Sequence, residues 1–296
     1  MRICIPATSA NLGSGFDSLG LAVNLYNYVT VEESDCVDIA SLDGIKVPAG
    51  EDNLIYFAAK SVYDVCGKQL KGLKIRQQNN IPMTRGLGSS SACIAAGLLG
   101  ANALLGQALR EEQLVNLAAA IEGHPDNTTP ALLGGLVTAV MENGSVYYIK
   151  QEISGSLMLY AFVPDFELPT EFARSVLPDT ITRKDAVHNL SRAALMSASL
   201  LEGKYENLRV AAGDRLHQPY RLPYIDGAER VFDLCYALNA YCVFISGAGP
   251  TLMAIADGAD TSFERKARKA LNEMGRSAWR LLPLRIDNRG ARIEST

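Results

Sequence analysis

The segment Pro82-Met83-Thr84-Arg85-Gly86-Leu87-Gly88-Ser89-Ser90-Ser91-Ala92 runs without a break into the small-residue stretch Ala92 to Leu105. No other part of the chain restricts its fold so strongly. Two glycines let the backbone approach a ligand closely, and three serines supply hydroxyls. The predicted helix behind them points unpaired N–H groups and its positive dipole end at the loop. Such a loop can cradle a phosphate. It is not a Walker A loop, which needs G-K-[ST], and it is not a G-x-G-x-x-G fingerprint. Taken alone, it also fits a serine-capped helix after a turn.

The 296 residues suggest about two domains, and 48% hydrophobic with 20% charged residues is a globular composition. A net charge of −4 argues against a nucleic-acid partner, which would need a basic face. From Thr261 onward 9 Lys/Arg stand against 4 Asp/Glu, which reads as a solvated basic helix face. The six cysteines (Cys4, Cys36, Cys66, Cys93, Cys235, Cys242) contain no C-x-x-C pair and do not cluster with His124, His188 or His217. Neither a zinc site nor a disulfide framework is expected. The start of the chain lacks the layout of a signal peptide, and no apolar run is long enough to span a membrane. A reduced, cytoplasmic protein without membrane contact is the expectation.

Strands are predicted at Arg2 to Ile5 and Leu19 to Val31, on either side of a Gly/Ser/Asn loop, Pro6 to Gly20. Asp52-Asn53 can cap a helix over Leu54 to Cys66, and a strand fits Leu73 to Gln78. A helix over Glu111 to Glu122 precedes strands near Gly135 to Met141 and Val146 to Gln151. After Gly155 the pattern restarts. A strand at Leu157 to Val163 is followed by helices near Lys184 to Leu201 and Ile225 to Leu238. Strands at Tyr241 to Ser246 and Thr251 to Ala256, a helix at Ser262 to Gly275 and a strand at Trp279 to Ile286 complete it. Strand, helix, strand, strand, helix, strand is the split βαβ order of ferredoxin-like folds. The fold class is α+β, divided into domains 1–153 and 154–296.

Three further segments can carry chemistry. Pro6-Ala7-Thr8-Ser9-Ala10-Asn11-Leu12-Gly13-Ser14-Gly15-Phe16-Asp17 offers an amide and a carboxylate on a small-residue loop, and Asp17 can hold an ammonium group. Glu122-Gly123-His124-Pro125-Asp126-Asn127 gathers two carboxylates, an imidazole and an amide, suited to binding Mg²⁺ and orienting a hydroxyl. Read singly, each of those side chains is equally a helix-end or capping residue. Ser246-Gly247-Ala248-Gly249-Pro250-Thr251 lies between two predicted strands, where glycines allow close approach to a ligand. No G-x-S-x-G elbow supports a Ser/His/Asp triad, and Cys93 reads as packing.

Together, Pro6 to Gly20, Pro82 to Ala92 and Ser246 to Met253 resemble, in order, the three motifs of the GHMP small-molecule kinases. The first motif, with His124-Pro125-Asp126-Asn127 and Pro130-Ala131, is similar to the branch of that family that acts on L-homoserine. Ser14 stands where a proline is usual, and Thr128-Thr129 where Val-Ala is usual. The resemblance implies a two-domain GHMP kinase fold, with a ribosomal-protein-S5-like ATP-binding domain and a ferredoxin-like second domain. It implies transfer of the ATP γ-phosphoryl group to the side-chain hydroxyl of homoserine, on the route to threonine, in a cytoplasmic homodimer. By matching position, Pro82, Met83, Thr84, Arg85, Gly86, Leu87, Gly88, Ser89, Ser90, Ser91 and Ala92 would wrap the ATP phosphates. Ser90 or Ser91 with Glu122 would hold Mg²⁺. Asn11, Asp17, His124, Arg174, Arg221, Gly247 and Gly249 would grip the amino acid, with the arginines on its carboxylate and Asp17 on its ammonium. Thr170 and Asn127 would lie near the reacting hydroxyl, with Asp126 either a general base or structural. A mevalonate or sugar kinase of the same family, and a nucleotide-binding module without turnover, are the competing readings.

Overall fold

The protein is described by a computed structural model over residues 1–153 and 155–294. The first half of the chain runs β1 (Arg2–Ala10), β2 (Leu19–Glu33), β3 (Asp38–Ser41), α1 (Leu54–Val65), β4 (Leu73–Gln78), α2 (Ser89–Leu104), α3 (Glu111–Glu122), α4 (Pro125–Leu133), β5 (Leu136–Glu142) and β6 (Ser145–Gln151). The second runs β7 (Leu157–Val163), α5 (Thr170–Ser175), α6 (Arg183–Glu202), α7 (Leu208–Ala211), α8 (Gln218–Arg221), α9 (Ala228–Ala237), β8 (Cys242–Ile245), β9 (Leu252–Asp257), α10 (Phe263–Glu273), β10 (Arg280–Leu284) and β11 (Arg292–Glu294).

β1 is buried at every position after Arg2, because helices cover the face that its small residues leave low. It therefore extends through Pro6 to Ala10, past the end expected from sequence, and only Asn11 to Ser18 remain as loop. The register against β2 shifts between Pro6 and Ala7, which accommodates the proline. The first sheet has the order β11-β1-β2-β4-β3, with β5 on β2 and β6 on β5. Its last strand comes from the far end of the chain, so Arg2–Cys4 pairs with Arg292–Glu294. Ser154, the first residue of the second domain as drawn from sequence, lies outside the described residues, as do residues 295 and 296.

α1 and α2 pack against each other over this sheet. Asn53 starts α1 by accepting hydrogen bonds from the amides of Ile55 and Tyr56 at 2.9 and 3.4 Å. α2 is rich in Ala and Gly, and a Cβ at Gly97 would meet the Ile55 carbonyl oxygen at 2.2 Å, so its small residues set the interhelical distance. α4 was not foreseen: Pro125 occupies its first turn, where a missing N–H costs nothing, and all nine residues are buried.

The second sheet has the order β10-β7-β9-β8, with every neighbouring pair antiparallel. Numbered within that half, the order is 4-1-3-2, as the ferredoxin-like pattern requires. α9 and α10 close a separate core around Phe162, Ile245, Phe263 and Trp279. Among the described residues no helix is long and apolar enough to cross a membrane.

Candidate active site

The three glycine-rich segments bond directly to one another. Thr8 N donates to Leu87 O at 3.1 Å, Gly247 N donates to Ala10 O at 3.1 Å, and Ser246 Oγ donates to Gly86 O at 2.6 Å. Ser9 and Ser246 share a hydroxyl–hydroxyl bond of 2.8 Å. Their glycines are required by contact: a Cβ at Gly86 would lie 2.2 Å from Ser246 O, and one at Gly88 would lie 1.9 Å from Thr8 Oγ1. Both also have positive φ, +73° and +69°. The knot floors a cleft of ≈ 350 Å³.

At one wall Gly88 caps α2 without a side-chain bond, leaving the first amides of a sixteen-residue helix to face a ligand. Ser90 Oγ donates to Glu122 Oε2 at 2.9 Å and Ser91 Oγ to Oε1 at 3.2 Å. Arg85 turns away from this wall. Its Nε donates to Pro164 O at 3.2 Å and its guanidinium pairs with Glu167 at 3.2 Å, tying the loop to the β7–α5 connection. Burial, helped by Glu122, pushes the Cys93 thiol up to about 12, which removes it as a nucleophile.

At the opposite wall Arg174 makes a two-pronged ion pair with Asp17, at 2.8 and 3.1 Å. The bond to Asp17 outweighs burial and raises the Arg174 pKa. Arg221 is only 1% exposed. Its Nε donates to Ala173 O at 2.9 Å, and its Nη1 faces Gly247 O and His217 Nδ1, each at 3.2 Å. Burial, then the neighbouring Arg174, push its pKa down to about 10, so it still carries charge at neutral pH. Phe16 lies below both guanidiniums, 5.6 Å from Arg174 and 5.3 Å from Arg221, and stacks on His217 at 5.2 Å. Burial lowers the His217 pKa, and the neutral ring can then donate from Nε2 to Gly13 O at 2.7 Å while Nδ1 accepts from Arg221. Asp214 fixes the start of α8 by accepting from the amides of Leu216, His217 and Gln218.

Between the walls His124 Nδ1 and Asp126 Oδ1 are 2.5 Å apart. Burial would lower the His124 pKa, but the bond to Asp126 and its charge outweigh that and raise it. Asn127 Oδ1 accepts from Thr8 Oγ1 at 2.8 Å, which turns its amide nitrogen to the remaining side. Asp17, His124 and Asp126 bring potential ligand atoms within 4.8 Å of one another. Arg174 already neutralises Asp17, so this cluster reads as an ion-pair group rather than a metal cage.

Most residues singled out from sequence meet at this cleft. Asn11, Asp17, Met83, Thr84, Arg85, Gly86, Gly88, Ser89, Ser90, Glu122, His124, Asp126, Asn127, Thr170, Arg174, Arg221 and Gly247 line it. Pro82, Leu87, Ser91 and Ala92 do not, and Leu87, Ser91 and Ala92 are buried behind it. Gly249 also lies off the lining, and a Cβ there would meet Ile245, Ile225 and Leu168. The Asn11 amide is committed to the fold: Nδ2 donates to Gly247 O at 2.9 Å and Oδ1 accepts from Asp17 N at 3.0 Å. Sequence reasoning missed Phe16, Thr8, Asp214 and His217 as parts of the site. Phe16 and Thr8 lay inside a motif already singled out, whereas His217 meets Gly13 across 204 residues and carries no local signal.

The sequence matches the GHMP kinases N terminal domain over residues 53–135 and the GHMP kinases C terminal domain over residues 196–279. It is 46% identical to the homoserine kinase of Clostridium beijerinckii over 99% of this chain and 98% of that one. It is also 46% identical to the homoserine kinase of Caldicellulosiruptor saccharolyticus, over 100% and 97%. The crystal structure of homoserine kinase from Cytophaga hutchinsonii superposes with a TM-score of 0.88 at 26% identity, covering 99% of this chain and 96% of that one.

Proposed function

The chain belongs to the homoserine kinases of the GHMP kinase family, and from that premise we propose that it transfers the γ-phosphoryl group of ATP to the side-chain hydroxyl of L-homoserine, giving ADP and O-phospho-L-homoserine. One observation carries the reading. A single cleft joins the open N-terminus of α2 to a wall bearing one carboxylate and two guanidiniums, Asp17, Arg174 and Arg221. A zwitterionic amino acid complements that wall: its ammonium suits Asp17 and its carboxylate suits the arginine forks. Mevalonate and sugars have no ammonium to offer Asp17.

The α2 amides and the close backbone at Gly86 and Gly88 receive the phosphates. Ser90 and Glu122 offer oxygen ligands on the cleft lining, a pair that fits Mg²⁺, while the buried Ser91 hydroxyl holds the Glu122 carboxylate from behind. When bound, that ion would spread the negative charge of the phosphates. Asn127, oriented by Thr8, presents N–H donors to the acceptor hydroxyl or the phosphoryl group, and it cannot take a proton. Thr170, on the first turn of α5, lies on the same lining. Asp126 is engaged by His124 and buried, which favours a positioning role over a base. Phosphoryl transfer through a loose transition state tolerates this, because alignment and charge stabilisation supply most of the rate.

The test is ADP release from purified protein, ATP and Mg²⁺ with L-homoserine, L-threonine, mevalonate or galactose as acceptor. Turnover with homoserine in clear preference is expected. Turnover with mevalonate or galactose instead would overturn the acceptor wall, and nucleotide binding without turnover on any acceptor would favour a non-catalytic module.

A further inference from the structure

Arg221, the last residue of α8, brings to the acceptor wall a planar group whose nitrogens are mostly committed. Nε donates to Ala173 O at 2.9 Å, and Nη1 is shared between Gly247 O and His217 Nδ1, each at 3.2 Å. Nη2 makes no hydrogen bond to the described residues and is not sealed from solvent, so it is the arm presented to the cleft. Arg174 pairs with Asp17, whereas among the described residues no carboxylate forms an ion pair with Arg221.

His217 stands four residues before Arg221, fully buried and off the cleft lining, so it touches no substrate. Its ring is fixed all the same. Nε2 lies 2.7 Å from Gly13 O, which can only accept, and this places the ring proton on Nε2 and leaves the Nδ1 lone pair for Arg221. Phe16 covers one face of the ring at 5.2 Å. Asp214 stands 3.6 Å from Nε2, but its carboxylate is occupied by the amides of Leu216, His217 and Gln218. Burial favours the uncharged ring.

We propose that His217 is a positioning residue for the acceptor: its Nδ1 holds Nη1 of Arg221 and thereby aims Nη2 at the carboxylate of the bound amino acid. This rests on the kinase reading above and deepens it. A guanidinium is flat and rigid, so fixing Nε and Nη1 fixes where Nη2 points. The task calls for a neutral acceptor. A carboxylate in its place would pair with Arg221 and compete with the ligand, whereas an imidazole orients the charge and leaves it whole.

The test measures KM for homoserine and for ATP in the wild type, His217→Gln and His217→Asn, with thermal melts alongside. Glutamine carries its amide out to the place of Nε2 and can still donate to Gly13 O, but it brings no acceptor to the place of Nδ1. Asparagine does the reverse. His217→Gln is expected to raise the homoserine KM by about tenfold or more with the ATP KM unchanged. His217→Asn is expected to stay within about threefold of the wild type although it melts lower, because it gives up the Gly13 bond and not the one to Arg221. In an Arg221→Met background His217→Gln should add nothing, since it acts only through the guanidinium. A homoserine KM that is unchanged in His217→Gln, that rises as much in His217→Asn, or that rises again on top of Arg221→Met overturns the assignment. Should His217→Gln not fold, His217→Asn decides: a rise within about threefold supports the proposal and any larger one overturns it. A wild type without turnover on homoserine instead overturns the kinase reading on which the proposal stands.

Discussion

The carboxylate of Asp17 and the guanidinium of Arg174, 157 residues apart in sequence, face each other fork to fork at 2.8 and 3.1 Å. Each of these two groups already holds a charge of the kind its proposed ligand group carries. An amino acid entering the cleft would exchange partners with them, its ammonium replacing Arg174 on Asp17 and its carboxylate replacing Asp17 on Arg174. Binding of the zwitterion then exchanges ion pairs within a partly solvated wall, which limits the desolvation cost of leaving either charge bare.

Removing one member of that pair should therefore act on the acceptor and spare the nucleotide. Asp17→Asn is expected to raise the KM for homoserine by about tenfold or more, the value of a charge-assisted hydrogen bond, with the KM for ATP unchanged. Steady-state kinetics with each substrate varied in turn checks this, and an equal rise in both KM values would disprove it.

Arg221 combines a charge with a structural role. Its Nε and Nη1 contact Ala173 O, Gly247 O and His217, a spread that a lysine ammonium cannot reproduce. Arg221→Lys should raise the KM for homoserine and lower stability by about 1–3 kcal/mol through the acceptors it strands. An unchanged KM would remove Arg221 from the carboxylate site.

Asp126 tests whether the reaction needs a base. Asp126→Asn keeps a hydrogen-bonding group beside His124 and is expected to retain substantial turnover. A fall in kcat of about 10⁴-fold or more at constant KM would mean that Asp126 takes the hydroxyl proton.

The His124–Asp126 contact also makes a prediction in pH. The folded-state pKa of His124 lies above its ordinary value of 6.5, because the bond to Asp126 outweighs burial. Its contribution to stability is then full below that value and disappears as pH rises through the folded pKa. Denaturant melts of wild type and His124→Gln should differ more at pH 5.5 than at pH 8.5. A gap that grows with pH would contradict the raised pKa.

Gly20 tests how closely the elements that carry the site are stacked. A Cβ there would lie 1.7 Å from the backbone oxygen of Asp126, where α4 crosses β2. Gly20→Ala is expected to cost about 3 kcal/mol or more, since backbone must move to admit the methyl group. Chemical denaturation reads this directly, and a loss below 1 kcal/mol would show that α4 shifts freely.

Much of this arrangement is legible without coordinates where the signal is local. Asn53 reads as a cap because it precedes a helical spacing, and Glu111 to Glu122 is helical with the bounds expected. Leu157 to Val163 is apolar throughout because helices and sheet leave it no wet face. The failures share a cause. Pro6 to Ala10 reads as loop because Pro, Ala and Ser lack strand preference and Thr8 stands alone among them, yet helices pressing on β1 make small residues the ones that fit. Pro125 to Leu133 reads as loop because two prolines and two threonines argue against a helix, and burial of the whole segment overrides that propensity. At the site, Asp17 and Arg174 were separable as ligands for opposite charges, but their mutual pairing depends on how α5 approaches the first loop.

β1 is kept from being the edge of the first sheet only because β11 lies along it. Until residues 292–294 have been synthesised, the outer edge of Arg2–Cys4 has no partner. A fragment ending after β6 would carry that bare edge permanently, and bare edges recruit strands from other chains. β11 acts as a clasp on β1, so the sheet beneath the phosphate loop is closed only once residues 292–294 have reached Arg2–Cys4.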